Sequence, residues 1–268
     1  MSSTAEEQDV LLYKVEDGIA TITINRPEQR NSLSIAVGNG LYKLWEKIDA
    51  SPDVRVVILT SADCGTFCAG QDLKEAARKK QETGEDILTF FKDPFHFRMR
   101  RVKVPIIAAM TGHLMAGGML LSLNCDMRVG LSGTKVGITE SKIGRGSPWG
   151  MPLIWMLPQP LLMEMVLTAQ LYPIERFKEL GFVNYLEATP DAVRARALEL
   201  ARMIRDNAPL SVICGKRALL TAMSVGCDTG LEMAWHIYRE AYQSEDAQEG
   251  PRAFAEKRAP RWTGLPAK

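Results

Sequence analysis

Two apolar runs of strand length, VRVVILT at 54–60 and VPIIAAM at 104–110, constrain the fold more than any other feature of the chain. A strand with water on one face alternates apolar and polar residues. These runs do not alternate, so both read as strands covered on two faces, as in a parallel sheet enclosed by helices. Each is followed by glycine and then a helical pattern, which sets an α/β core. With 268 residues, 46% of them hydrophobic, the chain can bury such a core as one large domain or one domain plus a small appendage.

The remaining elements fit around those strands. Residues 11–15 and 19–25 are β-rich and separated by Glu-Asp-Gly, which reads as a hairpin. Ser34 can cap a helix through Lys47, with Leu41, Leu44, Trp45 and Ile48 on one stripe. Residues 72–101 carry two helical stretches parted by Thr83 and Gly84, the first basic and the second rich in Phe. Short strands are expected at 126–129 and 135–137. From 191 onward the pattern is all helical, with Asp191, Pro209, Asp228 and Glu245 opening successive helices. The division is therefore a core over 1–190 and a helical region over 191–268. Leu219, Leu220, Met223, Leu231, Trp235 and Tyr238 give that region apolar faces, which must pack on the core or on a neighbouring subunit.

Composition excludes several classes. Lys and Arg total 33 against 32 Asp and Glu, so no whole-chain field points to DNA or to an anionic membrane. The five cysteines, Cys64, Cys68, Cys125, Cys214 and Cys227, read as reduced, buried thiols, and neither they nor His96, His113 and His236 have metal-site spacing. The start MSSTAEEQDV is polar and acidic rather than a basic, apolar leader, and the final Pro-Ala-Lys is no address tag. No segment approaches the roughly 20 apolar residues of a membrane span. A cytoplasmic protein is the expectation.

Two segments can carry chemistry. In GTFCAGQDL at 65–73, small residues after a buried strand let a ligand approach the backbone before a helix begins. In the segment from Val104 through Gly112 and Ala116 to Gly117 and Gly118, glycines again precede a helix, whose first N–H groups and dipole suit an anion or a developing oxyanion. Taken singly, each is also an ordinary tight turn.

Together, in this order, they resemble the crotonase (enoyl-CoA hydratase/isomerase) family, and similar features run from ITINRP near the start to Phe254-Ala255-Glu256-Lys257-Arg258 near the end. The resemblance implies a crotonase-like ββα spiral core with a C-terminal helical trimerisation region, assembled as a homotrimer or a hexamer of paired trimers. It implies an acyl-CoA or enoyl-CoA substrate, with CoA entering as part of the substrate and no separate cofactor or metal. It places the two thioester-oxygen donors on the backbone N–H groups of Gln71 and Gly117. It also places the CoA wall at Cys68, Ala69, Gly70, Asp72 and Leu73, with Phe254 and Lys257 as a lid from late in the chain. Lys74, Arg78, Lys79 and Lys80 suit phosphate or are a solvated helix face.

Family hydratases use two glutamates. Here the first position is Leu120, which does no acid or base work, and the second is Glu140. A carboxylate beside an apolar pocket is desolvated and raised toward a useful pKa. One glutamate suits isomerisation, with the proton taken from C2 and returned at C4; hydration by Glu140 alone is the alternative. A thioester hydrolase or dehalogenase would reuse the same donors. With Leu120 in that place, a non-catalytic acyl-CoA-binding or RNA-binding relative is a reading of another class. After Glu140 the chain departs from the family's Pro-Gly-x-Gly-Gly and reads RGSPWGMP at 145–152. Trp149 and Trp155 there either line a site for a ring or branched acyl group or serve ordinary packing.

Overall fold

The computed structural model describes residues 10–267. The polar, acidic N-terminal run up to Asp9 and the terminal Lys268, on which the leader and address-tag expectations rest, lie outside the described residues.

Strands β1 (Leu11–Glu16) and β2 (Ile19–Ile24) form the expected antiparallel hairpin. Helix α1 (Ile35–Asp49) comes next, its first turn capped by the Ser34 hydroxyl, which accepts from the Val37 N–H at 3.2 Å. Val37, Leu41, Trp45 and Ile48 of α1 are buried, each contributing about 1.5–3 kcal/mol of apolar burial. Then come β3 (Val56–Ser61), β4 (Thr66–Cys68), α2 (Leu73–Thr83), a 3-10 turn at Ile87–Phe90 and a short α3 (Phe97–Arg100). The next turn of chain repeats the plan, with β5 (Ile106–Met110), β6 (His113–Met115) and α4 (Gly117–Leu123). After β7 (Met127–Leu131) and β8 (Lys135–Gly137) come 3-10 turns at Glu140–Ile143 and Pro148–Trp155, then α5 (Gln159–Thr168), β9 (Tyr172–Pro173), α6 (Ile174–Glu179) and β10 (Tyr185–Glu187). Helices α7 (Pro190–Arg205), α8 (Pro209–Val225), α9 (Cys227–Tyr242) and α10 (Asp246–Ala255) complete it.

The strands form two sheets. One has six strands in the order β1-β2-β3-β5-β7-β10, parallel except for the first hairpin. The other has four in the order β4-β6-β8-β9, parallel except at β9. Successive turns thus lay one strand in each sheet before the helix, which is the ββα spiral that the resemblance implied.

The non-alternating runs are buried on two faces, as read. Val57, Leu59, Ala108 and Met110 point into the large cluster with α1, whereas Val56, Ile58, Ile107 and Ala109 meet Val193, Ala197, Leu200 and Ala201 of α7. The first helix of the C-terminal region therefore covers the second face of the sheet. Beyond it, α8 and α9 form a hairpin around Cys214, Ala218, Ile237 and Ala241.

Several local expectations are corrected. The strands β4 and β6 are too short to show a period, so each β-strand, turn and helix read from the sequence hides a second strand. The Phe-rich stretch is not a helix: Asp86 caps only a 3-10 turn, and Pro94 and the left-handed His96 interrupt the chain beyond it. Helix α7 is capped by Thr189, whose hydroxyl accepts from the Ala192 N–H at 3.2 Å; Asp191 sits in its first turn. Two cysteines, Cys64 and Cys227, are exposed, correcting the expectation that all five are buried. Among the described residues no helix is long and apolar enough to cross a membrane.

Candidate active site

Leu33 organises the first donor. Its N–H donates to the Gly70 carbonyl at 2.8 Å, and its own carbonyl accepts from the Asp72 N–H at 3.0 Å. This is the pattern of a parallel bridge, which turns the N–H of the intervening Gln71 to the opposite side. Arg26 steadies the turn: its guanidinium bonds Ser32 at 2.7 and 2.9 Å and pairs with Asp72 at 2.8 Å. Burial raises the Asp72 carboxyl, but the bonds from Arg26 and from the Glu75 N–H outweigh it and leave the group below its ordinary value.

The second donor is the first N–H of α4. Ala116, just before it, is held at φ 51 by its N–H bond to the Gly137 carbonyl at 2.9 Å, a conformation that costs an L residue about 1–3 kcal/mol. Gly70, at φ 93, and Gly117 face each other so closely that a Cβ on Gly117 would lie 3.2 Å from the Gly70 Cα. A Cβ on Gly118 would meet the Cys68 carbonyl oxygen at 2.4 Å. These contacts set the two backbone segments side by side. Neither the Gln71 N–H nor the Gly117 N–H has a hydrogen-bond partner among the described residues. At the far end of α4, Arg128, buried among carbonyls, donates to those of Ser122, Cys125 and Phe182 at 2.9, 2.7 and 2.5 Å, satisfying the helix C-terminus.

Both donors border a cleft of about 470 Å³ that also contains Leu120 and Glu140. Its lining is largely apolar, with Leu88, Phe91, Phe95 and Trp149 among the contributors. Phe91 is admitted by Gly38 of α1, where a Cβ would collide with the ring at 2.3 Å. Asn39 pins the neighbouring backbone, donating to the Phe90 carbonyl at 3.0 Å and accepting from the Lys92 N–H at 2.7 Å.

Glu140 begins the 3-10 turn after β8. Its Oε1 accepts the Trp149 indole N–H at 3.1 Å, while its Oε2 is buried with no partner. Burial pushes the carboxyl above its ordinary value, and the Glu140 backbone N–H, then the Trp149 indole and the Thr139 N–H, pull partly the other way. Asp86 and Arg145 pair across the same cleft, and the guanidinium holds the Asp86 carboxyl down to about 2. His96 also lines it, and burial lowers its pKa to about 4.

The expected residues fall into groups. Gln71, Gly117, Leu120, Glu140, Trp149, Ala69 and Leu73 are brought together at the cleft. Ala69, Gln71 and Leu73 also border an adjoining groove with Asp72, Lys74 and Arg78. Lys79 instead pairs with Glu82 at 3.0 Å, and Lys80 donates to the Gly84 carbonyl at 2.6 Å. Cys68 is buried behind the turn, its sulfur accepting from the Gly70 N–H at 3.4 Å. Phe254 and Lys257, at and beyond the end of α10, do not line the cleft; Phe254 is 87% exposed. Trp155 likewise points away, 62% exposed, because the 3-10 turn at Pro148–Trp155 buries Trp149 and leaves its far end in solvent. No site role follows from the sequence for Arg26, His96 or the Asp86–Arg145 pair, although Arg26 lies in ITINRP and Arg145 opens RGSPWGMP.

Comparison with known proteins finds relatives along nearly the whole chain. The family model described as enoyl-CoA hydratase/isomerase matches residues 14–265. The (E)-benzylidenesuccinyl-CoA hydratase of Thauera aromatica is 32% identical, covering 94% of this chain and 98% of its own. The crystal structure of an enoyl-CoA hydratase from Mycobacterium tuberculosis superposes with a TM-score of 0.85 at 36% identity, covering 96% of this chain and 100% of that one. One from Bacillus anthracis gives 0.89 at 30% identity, covering 95% and 99%. With residues 14–265 matched by the family model and relatives above 30% identity along nearly its whole length, the chain belongs to the enoyl-CoA hydratase/isomerase family.

Proposed function

We propose that the chain acts on an acyl-CoA thioester through an enolate, with Glu140 as the one carboxylate that moves protons at the reacting carbons. The observation that carries this reading is the composition of the cleft. Two unpartnered backbone N–H groups, the Glu140 side chain and the inert Leu120 line the same space. The N–H groups of Gln71 and Gly117 receive the thioester oxygen as charge develops on it, an arrangement worth about 3–4 kcal/mol of barrier per donor. CoA enters as part of the substrate, its chain running into the groove where Lys74 and Arg78 supply positive charge.

Isomerisation is the favoured reaction. The Glu140 carboxylate takes a proton from C2 of a 3-enoyl-CoA, the electron pair passes to the thioester oxygen as a dienolate, and the same proton returns at C4. The product is the 2-enoyl-CoA, with no atom gained or lost. Hydration is a second reading, favoured by the hydratase names of the relatives. Glu140 would then take a proton from water as the oxygen bonds C3 and deliver it to C2. The same reading includes assembly as a trimer or as paired trimers.

Separate incubation with 2-enoyl-CoA and 3-enoyl-CoA, with products identified by mass and retention, distinguishes the reactions. Glu140→Gln is expected to abolish turnover of either substrate while CoA affinity stays within about twofold; full activity in that variant would remove Glu140 from the mechanism. No turnover of either substrate by the unaltered chain would favour an acyl-CoA binder.

A further inference from the structure

Glu140 opens a short 3-10 turn whose own backbone N–H groups, at Glu140 and Thr139, favour the carboxylate charge, and among the described residues the side chain that bonds it is Trp149. Trp149, nine residues on, is 7% exposed and packs in the main core cluster, so its ring is fixed by its surroundings. The backbone between them is folded back on itself: the Arg145 N–H donates to the Glu140 carbonyl at 3.0 Å, and the Gly150 N–H to that of Ser147 at 2.9 Å. The Arg145 side chain is tied to Asp86 on the opposite wall.

We propose that Trp149 is the positioning residue for the catalytic carboxylate: its indole N–H holds Glu140 Oε1 and so fixes how the carboxylate is turned beside the cleft. An indole has one N–H and no acceptor, so it fixes the carboxylate without offering it a proton route. The bond also favours the ionised form, offsetting part of the burial that opposes it. The other titratable groups on the cleft wall do not take this role. Asp86 and Arg145 satisfy each other, His96 is neutral above about pH 4, and Lys142 on the same turn is exposed.

The inference rests on the proposed role of Glu140, and the experiment separates the two. The pH dependence of kcat is measured for the unaltered chain, Glu140→Gln and Trp149→Phe, on whichever enoyl-CoA is turned over. Removing the N–H raises the Glu140 pKa, so the limb of activity that rises with carboxylate ionisation should move to higher pH by about one unit. At a pH on that limb, kcat should fall about tenfold. Because Trp149 is buried, the same profile is recorded with benzothienylalanine at position 149, which keeps the ring's shape and replaces N–H by sulfur. A displaced limb in that chain supports the proposal. A limb superposed on the unaltered profile, with Glu140→Gln inactive, overturns it and leaves the role of Glu140 standing. Turnover by Glu140→Gln would instead overturn the role of Glu140 itself.

Discussion

At the scale of single residues, the cleft holds groups in states that cost folding free energy. Glu140 is the clearest. Its carboxyl is raised by burial, so the protonated form is the one the folded chain prefers. Any advantage of that form is present below the ordinary carboxylate pKa and is lost as pH rises through the raised value. At neutral pH the buried carboxyl group therefore opposes folding. Glu140→Gln should melt higher than the unaltered chain at pH 7 and show no such gain at pH 4, as read by calorimetry. An unchanged or lower melting temperature at pH 7 would contradict the burial argument. Ala116 stores strain of another kind, a backbone with φ 51 that an L residue rarely adopts.

At the scale of elements, the geometry depends on how closely α4 approaches β4. The first turn of that helix touches the Cys68 carbonyl and the Gly70 backbone, with no side chain between them. In Gly118→Ala the new Cβ would have to push the backbones apart, separating the Gln71 and Gly117 N–H groups. We expect kcat to fall about 10²–10³-fold, the usual effect of one misplaced oxyanion donor. The fold should survive, since overpacking of this kind costs about 1–3 kcal/mol. Circular dichroism alongside steady-state kinetics checks both halves, and full activity would show that the helix can slide without loss.

For the molecule as a whole, the unusual surface is the α8–α9 hairpin and its surroundings. Leu219, Leu231, Trp235 and Phe254 are 71%, 73%, 65% and 87% exposed in the single chain. Exposed apolar side chains of this size suit an interface. Under the proposed assembly that partner is another copy. Sedimentation equilibrium should give three or six times the mass of one chain, and Trp235→Asp together with Leu231→Asp should reduce it to one. An unaltered chain that sediments as a monomer at micromolar concentration would remove the trimer from the reading.

Much of this was legible in the residues themselves. Unbroken apolar runs can be satisfied only by burial on two faces, so β3 and β5, and the helices that cover them, followed from pattern alone. The paired glycine turns and the leucine at 120 followed from resemblance, and Gln71, Gly117, Leu120 and Glu140 do share one cleft. Features made by long-range contact were beyond the reach of the sequence. The three-residue strands β4 and β6 exist because each finds a neighbour in the second sheet, not because three residues carry a period. Asp86 and Arg145 meet across 59 positions of sequence, and nothing local to either announces the other. The bond from Trp149 to Glu140 arises because a 3-10 turn doubles the chain back, so an indole that sequence alone left between pocket wall and packing becomes a ligand of the carboxylate. Local pattern determines which residues must be buried or must turn. Which polar groups then face each other is decided only when those buried surfaces close.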